Sequence, residues 1–239
     1  FFYDNCATRI RDIVGETFFH QLRYDTAFLP PKATMRQLLQ PYLDEKPWLD
    51  FGIDLVLGLP ADRVATALQY MFLPDYVHHL YAKAATAEGK PLVLRERNIP
   101  ETVPPKPPFS PSPLDRPLWA MGFIAVIGLL SMASPRTEKV FDAVFWFVLG
   151  LAGLVMFLLW FATDHSATKG NMNILWAWPT HLFFFWKKGK GSSFVENYFM
   201  AAALVAALLI LFWAWLPQEL PVPALPIVGL IVLKGLRKR

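Results

Sequence analysis

Apolar residues in this chain follow two rhythms, and the change falls near residue 117. In the first 90 positions they recur at helical spacing within short segments. Ile10, Ile13, Val14 and Phe18 share one face of NCATRIRDIVGETFFHQL, which predicts an amphipathic helix with Asp4 as its cap. Prolines at 30, 31, 41 and 47 divide the next stretch into short pieces. MRQLLQPYL predicts a short helix, and PWLDFGIDLVLGLP a compact apolar turn and helix. Pro60-Ala61-Asp62 opens another through ADRVATALQYMF. A further helix is expected over PDYVHHLYAKAATA, ended by Gly89 and Pro91, with LVLRER as a short strand. The proline-dense stretch between residues 100 and 117 reads as a stiff, extended linker. The expected organisation is a water-facing domain over 1–99, a linker over 100–116 and a helical membrane domain over 117–239.

Beyond the linker the apolar positions form runs rather than stripes: residues 117–134, 140–163, 173–186, 194–216 and 220–233. A membrane span needs about 20 apolar residues. The second and fourth runs meet that comfortably and the first narrowly. The third and fifth are short, which leaves tilted or interfacial placements open for them. If all five cross, one edge receives Arg136, Lys139, Lys187, Lys188, Lys190, Lys234, Arg237, Lys238 and Arg239. The other receives Lys169 alone among the breaks. The excess of positive charge on cytoplasmic loops then puts the Lys-rich edge and the C-terminus in the cytoplasm and residues 1–99 in the periplasm of a Gram-negative envelope.

Composition agrees. Hydrophobic residues make up 54% of the chain, and mean hydropathy is +0.33. Residues 1–116 carry net −1 and residues 117–239 net +5. A basic balance confined to the apolar half argues against a nucleic-acid partner, which would require a basic soluble face. The single cysteine excludes an intramolecular disulfide and any Cys-pair metal site. No phosphate loop, zincin helix, nucleophile elbow or calcium loop occurs, so no cofactor and no metal is expected. The chain opens on Phe1 inside what reads as a strand-to-helix junction, from which an upstream part of the protein is expected.

Two groups of residues carry candidate chemistry. Cys6 falls in the first turn of the first helix, where unpaired N–H groups and the positive dipole end favour a thiolate. The competing reading is a small buried residue packing the helix start. His20 lies about 21 Å along the same helix and cannot serve as its base. His78 and His79, on a later helix, read as a surface or packing pair. The second group lies in TDHSATKGNMNILWAWPTH. Asp164, His165, Asn171 and Asn173 fall in the break between the second and third runs, and His181 falls inside the third. Ionisable groups at or inside a membrane are costly and tend to line functional cavities. An ordinary polar loop is the alternative for the first four, and an interhelical hydrogen bond for His181. Trp176 and Trp178 suit an interfacial belt.

FFYDNCATRIRDIV, PWLDFGIDLVLGLPADRVAT, MFLPDYV and TDHSATKGNMNILWAWPTH, in that order, resemble the Lnb-type lipoprotein N-acyltransferase family of Gram-negative bacteria. The resemblance runs over nearly the whole chain. It implies a mainly α fold: the helical part of a permuted papain-like (Cys-His) periplasmic domain, then a membrane domain of about five transmembrane helices. It implies that Cys6 is the nucleophile and that its histidine partner sits in a Gly-His motif upstream of the cysteine. This chain does not reach that motif, so by itself it is not expected to be a competent enzyme. The implied substrates are a phospholipid acyl donor and a diacylglyceryl-lipoprotein. Asp164, His165, Asn171, Asn173 and His181 would contact them. Two other readings remain: a membrane-anchored cysteine amidase or peptidase, and a non-catalytic membrane subunit of an envelope complex.

Overall fold

A computed structural model of the chain describes residues 2–18, 21–97, 116–188 and 192–237. It divides into two compact units, one of residues 1–41 and 61–109, the other of 42–60 and 110–239.

The first unit is a set of short helices. Helix α1 (Cys6–Thr17) is capped by Asn5, not by Asp4 as expected. The Asn5 side chain accepts from the Thr8 N–H at 2.9 Å, and the Thr8 hydroxyl accepts from the Asn5 N–H at 2.8 Å. Asp4 is instead clamped by Arg9 at 2.6 and 2.8 Å. Thr34 and Gln37 exchange hydrogen bonds of the capping-box kind at the start of α2 (Met35–Leu43). The helix expected over residues 61–72 shrinks to α4 (Ala67–Tyr70), because Thr66 and Gln69 form a capping box there and Val64 bridges to Thr34. Helix α5 begins on Pro74 and ends at Ala82, since Ala85 is drawn into bridges with Arg23 and Pro91. The strand expected at LVLRER does not form. Isolated bridges are the only β pairing among the described residues, and that segment has no strand to join. Arg36, fully buried, is held by Asp62 at 2.8 and 3.0 Å. Ala7, Met71, Val77 and Leu80 make the small core under α1 and α5.

The second unit is built on apolar helices. It also contains α3 (Pro47–Val56), which was expected in the water-facing domain. The reason is its apolar face: Phe51 and Leu55 join the same core as Phe145, Trp176 and Ile227. Helices α6 (Pro117–Ser131), α7 (Pro135–Phe161), α9 (Ser193–Phe212) and α10 (Leu225–Leu236) come next. Two of these helices, α7 and α9 with its 3-10 extension to Trp215, are long and apolar enough to cross a membrane; α6 and α10 are apolar but shorter. Small residues let α9 and α10 approach closely. A Cβ on Gly235 would meet Ala203 and the Phe199 carbonyl, as at tightly packed membrane helices. Large apolar side chains such as Phe123, Val148, Leu158, Leu204 and Leu211 stay exposed on the outer faces of α6, α7 and α9. So wide an apolar surface suits lipid rather than water.

The third run is not a continuous helix. Together with the break before it, it consists of 3-10 turns at Ser166–Thr168 and Met172–Leu175 and the one-turn α8 (His181–Phe184). Its neighbours on α7 nonetheless descend in order. Thr168 bonds the Leu159 carbonyl, Ala177 lies against Gly153, Leu182 against Gly150, and Lys188 reaches Asp142. From level 159 to level 142 is about 25 Å at 1.5 Å per residue, close to the hydrocarbon thickness. The segment therefore traverses the unit as irregular backbone packed against protein, the setting in which such backbone is tolerated at membrane depth.

Candidate functional site

Cys6 is the first residue of α1 and is exposed. Among the described residues the thiol is not buried against the helix start. Asn5 fixes the helix start twice over, through the capping box and through its own amide, which donates to the Phe72 carbonyl at 2.9 Å. The thiol thus projects from a doubly anchored helix start at which the Thr8 N–H is taken by Asn5 and those of Cys6 and Ala7 have no partner within the helix. Beside it the Arg9 guanidinium, hydrogen-bonded to Asp4, holds that carboxyl below the usual carboxylate range. His78 bonds Glu96 at 3.0 Å and His79 packs edge-on against Phe28. Both therefore have the structural surroundings expected of them, and His20 lies outside the described residues.

The residues of the second group separate into three kinds. Asp164 and His165 are exposed, and neither side chain makes a hydrogen bond among the described residues, so the two neighbours do not pair with each other. Asn171 and Asn173 are buried. Asn171 donates to the Leu55 carbonyl at 2.7 Å, and Asn173 to those of Asp54 and Leu55 at 3.2 Å each. Gln218, absent from the sequence-based candidates, adds a bond to the Leu57 carbonyl at 3.0 Å. Carbonyls at a helix C-terminus have no partner within the helix, and three side-chain amides supply them here. Asn171 and Asn173 therefore hold α3 in place, and their amide hydrogens are occupied by the chain itself. His181 is the third kind. It is fully buried between Trp146 and Phe199, and its Nδ1 meets the Tyr198 hydroxyl at 2.7 Å, which in turn meets Thr180 at 2.8 Å. This is the interhelical hydrogen bond weighed for it, joining the third crossing to α9.

A further cluster has no counterpart among the sequence-based candidates. Glu138 and Asp142, one turn apart on α7, are buried. Lys234, fully buried on α10, lies 2.9 Å from Asp142 and 4.0 Å from Glu138, and donates to Ser131 of α6 at 2.8 Å. Arg237 reaches Glu138 at 3.2 Å. Lys188 reaches Asp142 at 3.4 Å and also donates to the Lys234 carbonyl. Three of the nine cations expected to mark one edge are thus there, but paired with acids. The signal in the sequence was Asp142 itself, a carboxylate inside an apolar run. Neither group gathers a metal-ligating set among the described residues.

A bundle of apolar helices with a lipid-suited outer surface, an irregular crossing packed against it and an ion network at one end defines an α-helical integral membrane domain. A family model described as the Lnb transmembrane domain matches residues 108–238, and the chain belongs to that family. Neither the curated proteins nor the solved structures contain a match.

Proposed function

We propose that the full-length protein is a lipoprotein N-acyltransferase with Cys6 as its nucleophile. The observation that carries this reading is an exposed thiol at the first position of a doubly anchored helix, in a chain that also bears the Lnb membrane domain. On the resemblance, the segment carrying Cys6 completes a permuted papain-like fold with upstream residues, which supply the histidine base. That base takes the thiol proton. Sulfur attacks the ester carbonyl carbon of a phospholipid, while first-turn N–H groups of α1 are oriented to stabilise the oxyanion. The C–O bond breaks, and the leaving oxygen regains the proton as a lysophospholipid. The α-amine of a diacylglyceryl-lipoprotein then attacks the thioester. A C–N bond forms, the C–S bond breaks, and the amine proton returns through the base to sulfur.

Asp164 and His165, exposed and with no partner among the described residues, are assigned to binding lipid head groups or lipoprotein. Asn171, Asn173 and His181 are assigned to positioning. The Lys-rich edge faces the cytoplasm on the positive-inside rule, and residues 1–41 and 61–97 face the periplasm of a Gram-negative inner membrane. The test uses full-length protein given phospholipid and then a diacylglyceryl-lipopeptide, with thioester and product followed separately by mass spectrometry. Cys6→Ser abolishes both. His165→Ala forms the thioester but transfers about 5- to 150-fold more slowly, the equivalent of 1–3 kcal/mol for a lost positioning hydrogen bond. Undiminished tri-acylation by Cys6→Ser would remove Cys6 from the mechanism.

A further inference from the structure

An apolar cavity of about 400 Å³ opens on the side of the second unit, lined by Met121 of α6, Val144, Val148 and Ala152 of α7, Ile227 of α10 and Phe51 of α3. Its volume lies in the range of ligand pockets, and no polar side chain lines it. A second groove of about 720 Å³ continues along α6 and α7, sharing Phe141 and Val144 with the first. It runs past Val140 and Leu130 to Arg136 at the start of α7. The two make one channel, apolar from the cavity to Val140 and polar at its other end, where Ser131, Thr137 and Arg136 line it.

That end is suited to an anion. Arg136 is exposed and makes no ion pair among the described residues. The acids nearest to it in sequence, Glu138 and Asp142, are engaged by Arg237, Lys234 and Lys188. Helix α7 begins at Pro135, so its first-turn N–H groups and positive dipole end lie beside the guanidinium. From Arg136 to the middle of the cavity, near residue 146, is about 15 Å along α7. Half of a hydrocarbon core is also about 15 Å. A chain of ordinary length that starts at the interface therefore ends in the cavity. Basic pockets between membrane helices on the cytoplasmic side are known takers of anionic lipid head groups.

We propose that this channel seats one anionic glycerophospholipid, with its phosphate on Arg136 and an acyl chain passing Phe141 and Val144 into the cavity closed by Phe51. The site is a resident lipid position, and it stands whether or not Cys6 is acylated. Its occupant also packs against Phe51 and Leu55 of α3, whose C-terminal carbonyls the amides of Asn171, Asn173 and Gln218 hold.

The test uses full-length protein purified in mild detergent and equilibrated with vesicles of equal phosphatidylglycerol and phosphatidylethanolamine. Bound lipid is then counted and identified by native mass spectrometry. The unaltered protein retains one phospholipid, enriched in phosphatidylglycerol. Arg136→Gln lowers that enrichment about fivefold, the equivalent of about 1 kcal/mol for one interfacial cation. Val144→Trp, placed where cavity and groove meet, loses the lipid. Leu151→Trp, on the exposed face of α7 outside the lining, keeps it. If Val144→Trp does not fold, the exposed Arg136→Gln decides alone. Equal phosphatidylglycerol enrichment with and without Arg136 overturns the proposal, as does retention by Val144→Trp or an unaltered protein that holds no phospholipid.

Discussion

Replacing Lys234 by Met keeps most of the side-chain volume and removes a charge that is wholly out of solvent. Two carboxylates lose a partner at once, Asp142 at 2.9 Å and Glu138 at 4.0 Å, and Ser131 loses the donor to its hydroxyl. Breaking a buried pair by deleting one member costs about 3–5 kcal/mol, because the remaining charge is left uncompensated. Here neither acid is fully abandoned. Asp142 retains Lys188 at 3.4 Å and Glu138 retains Arg237 at 3.2 Å. The expected loss therefore sits at the lower end, about 3 kcal/mol. The measurement is reversible unfolding of the purified protein in mixed micelles, with the denaturing detergent fraction as the variable. Asp142→Asn, Lys234→Met and the double variant complete a cycle. Once Lys234 is gone, neutralising Asp142 removes the stranded charge. The double variant should therefore be more stable than the sum of the single losses predicts, by about 2 kcal/mol. Additive losses, or a Lys234→Met cost below about 1 kcal/mol, would refute the view that this network holds α7, α10 and the third crossing together.

Two glycines on neighbouring helices should behave oppositely. A methyl on Gly153 would collide with the Ala177 carbonyl and sit 2.9 Å from the Pro179 nitrogen, both backbone, so Gly153→Ala should destabilise by at least about 1–3 kcal/mol. Gly122→Ala meets nothing within 4 Å and should stabilise α6 by about 0.5–1 kcal/mol, both read from the same unfolding curves. Asn173→Ala removes donors to Asp54 and Leu55 and the acceptor of the Trp176 indole N–H at 3.1 Å. It should speed hydrogen exchange across residues 47–57 by about 5- to 150-fold, the equivalent of 1–3 kcal/mol, while the middle of α7 stays protected.

Apolar patterning alone determined that the chain has a helical membrane half and a separate half of short helices. Hydropathy reports which solvent a segment needs, and this signal is local. It also placed Cys6 in a first helical turn, although the cap proved to be Asn5, one residue on. Two adjacent residues of the same capping class differ only in which side chain finds an N–H donor and which finds Arg9. What only the tertiary structure decided was partnership. Residues 47–56 read as part of the water-facing half because their stripe of Phe51 and Leu55 says that they bury a face and not against what. Asn171 and Asn173 read as open polar groups until the Asp54 and Leu55 carbonyls, more than a hundred residues away, are placed beside them. Lys188, Lys234 and Arg237 read as edge markers because a sequence counts charges, whereas Glu138 and Asp142 meet them where α7, α10 and the third crossing come together at one end. Hydrogen bonds and ion pairs act over a few ångströms between residues distant in the chain, so no local pattern carries them.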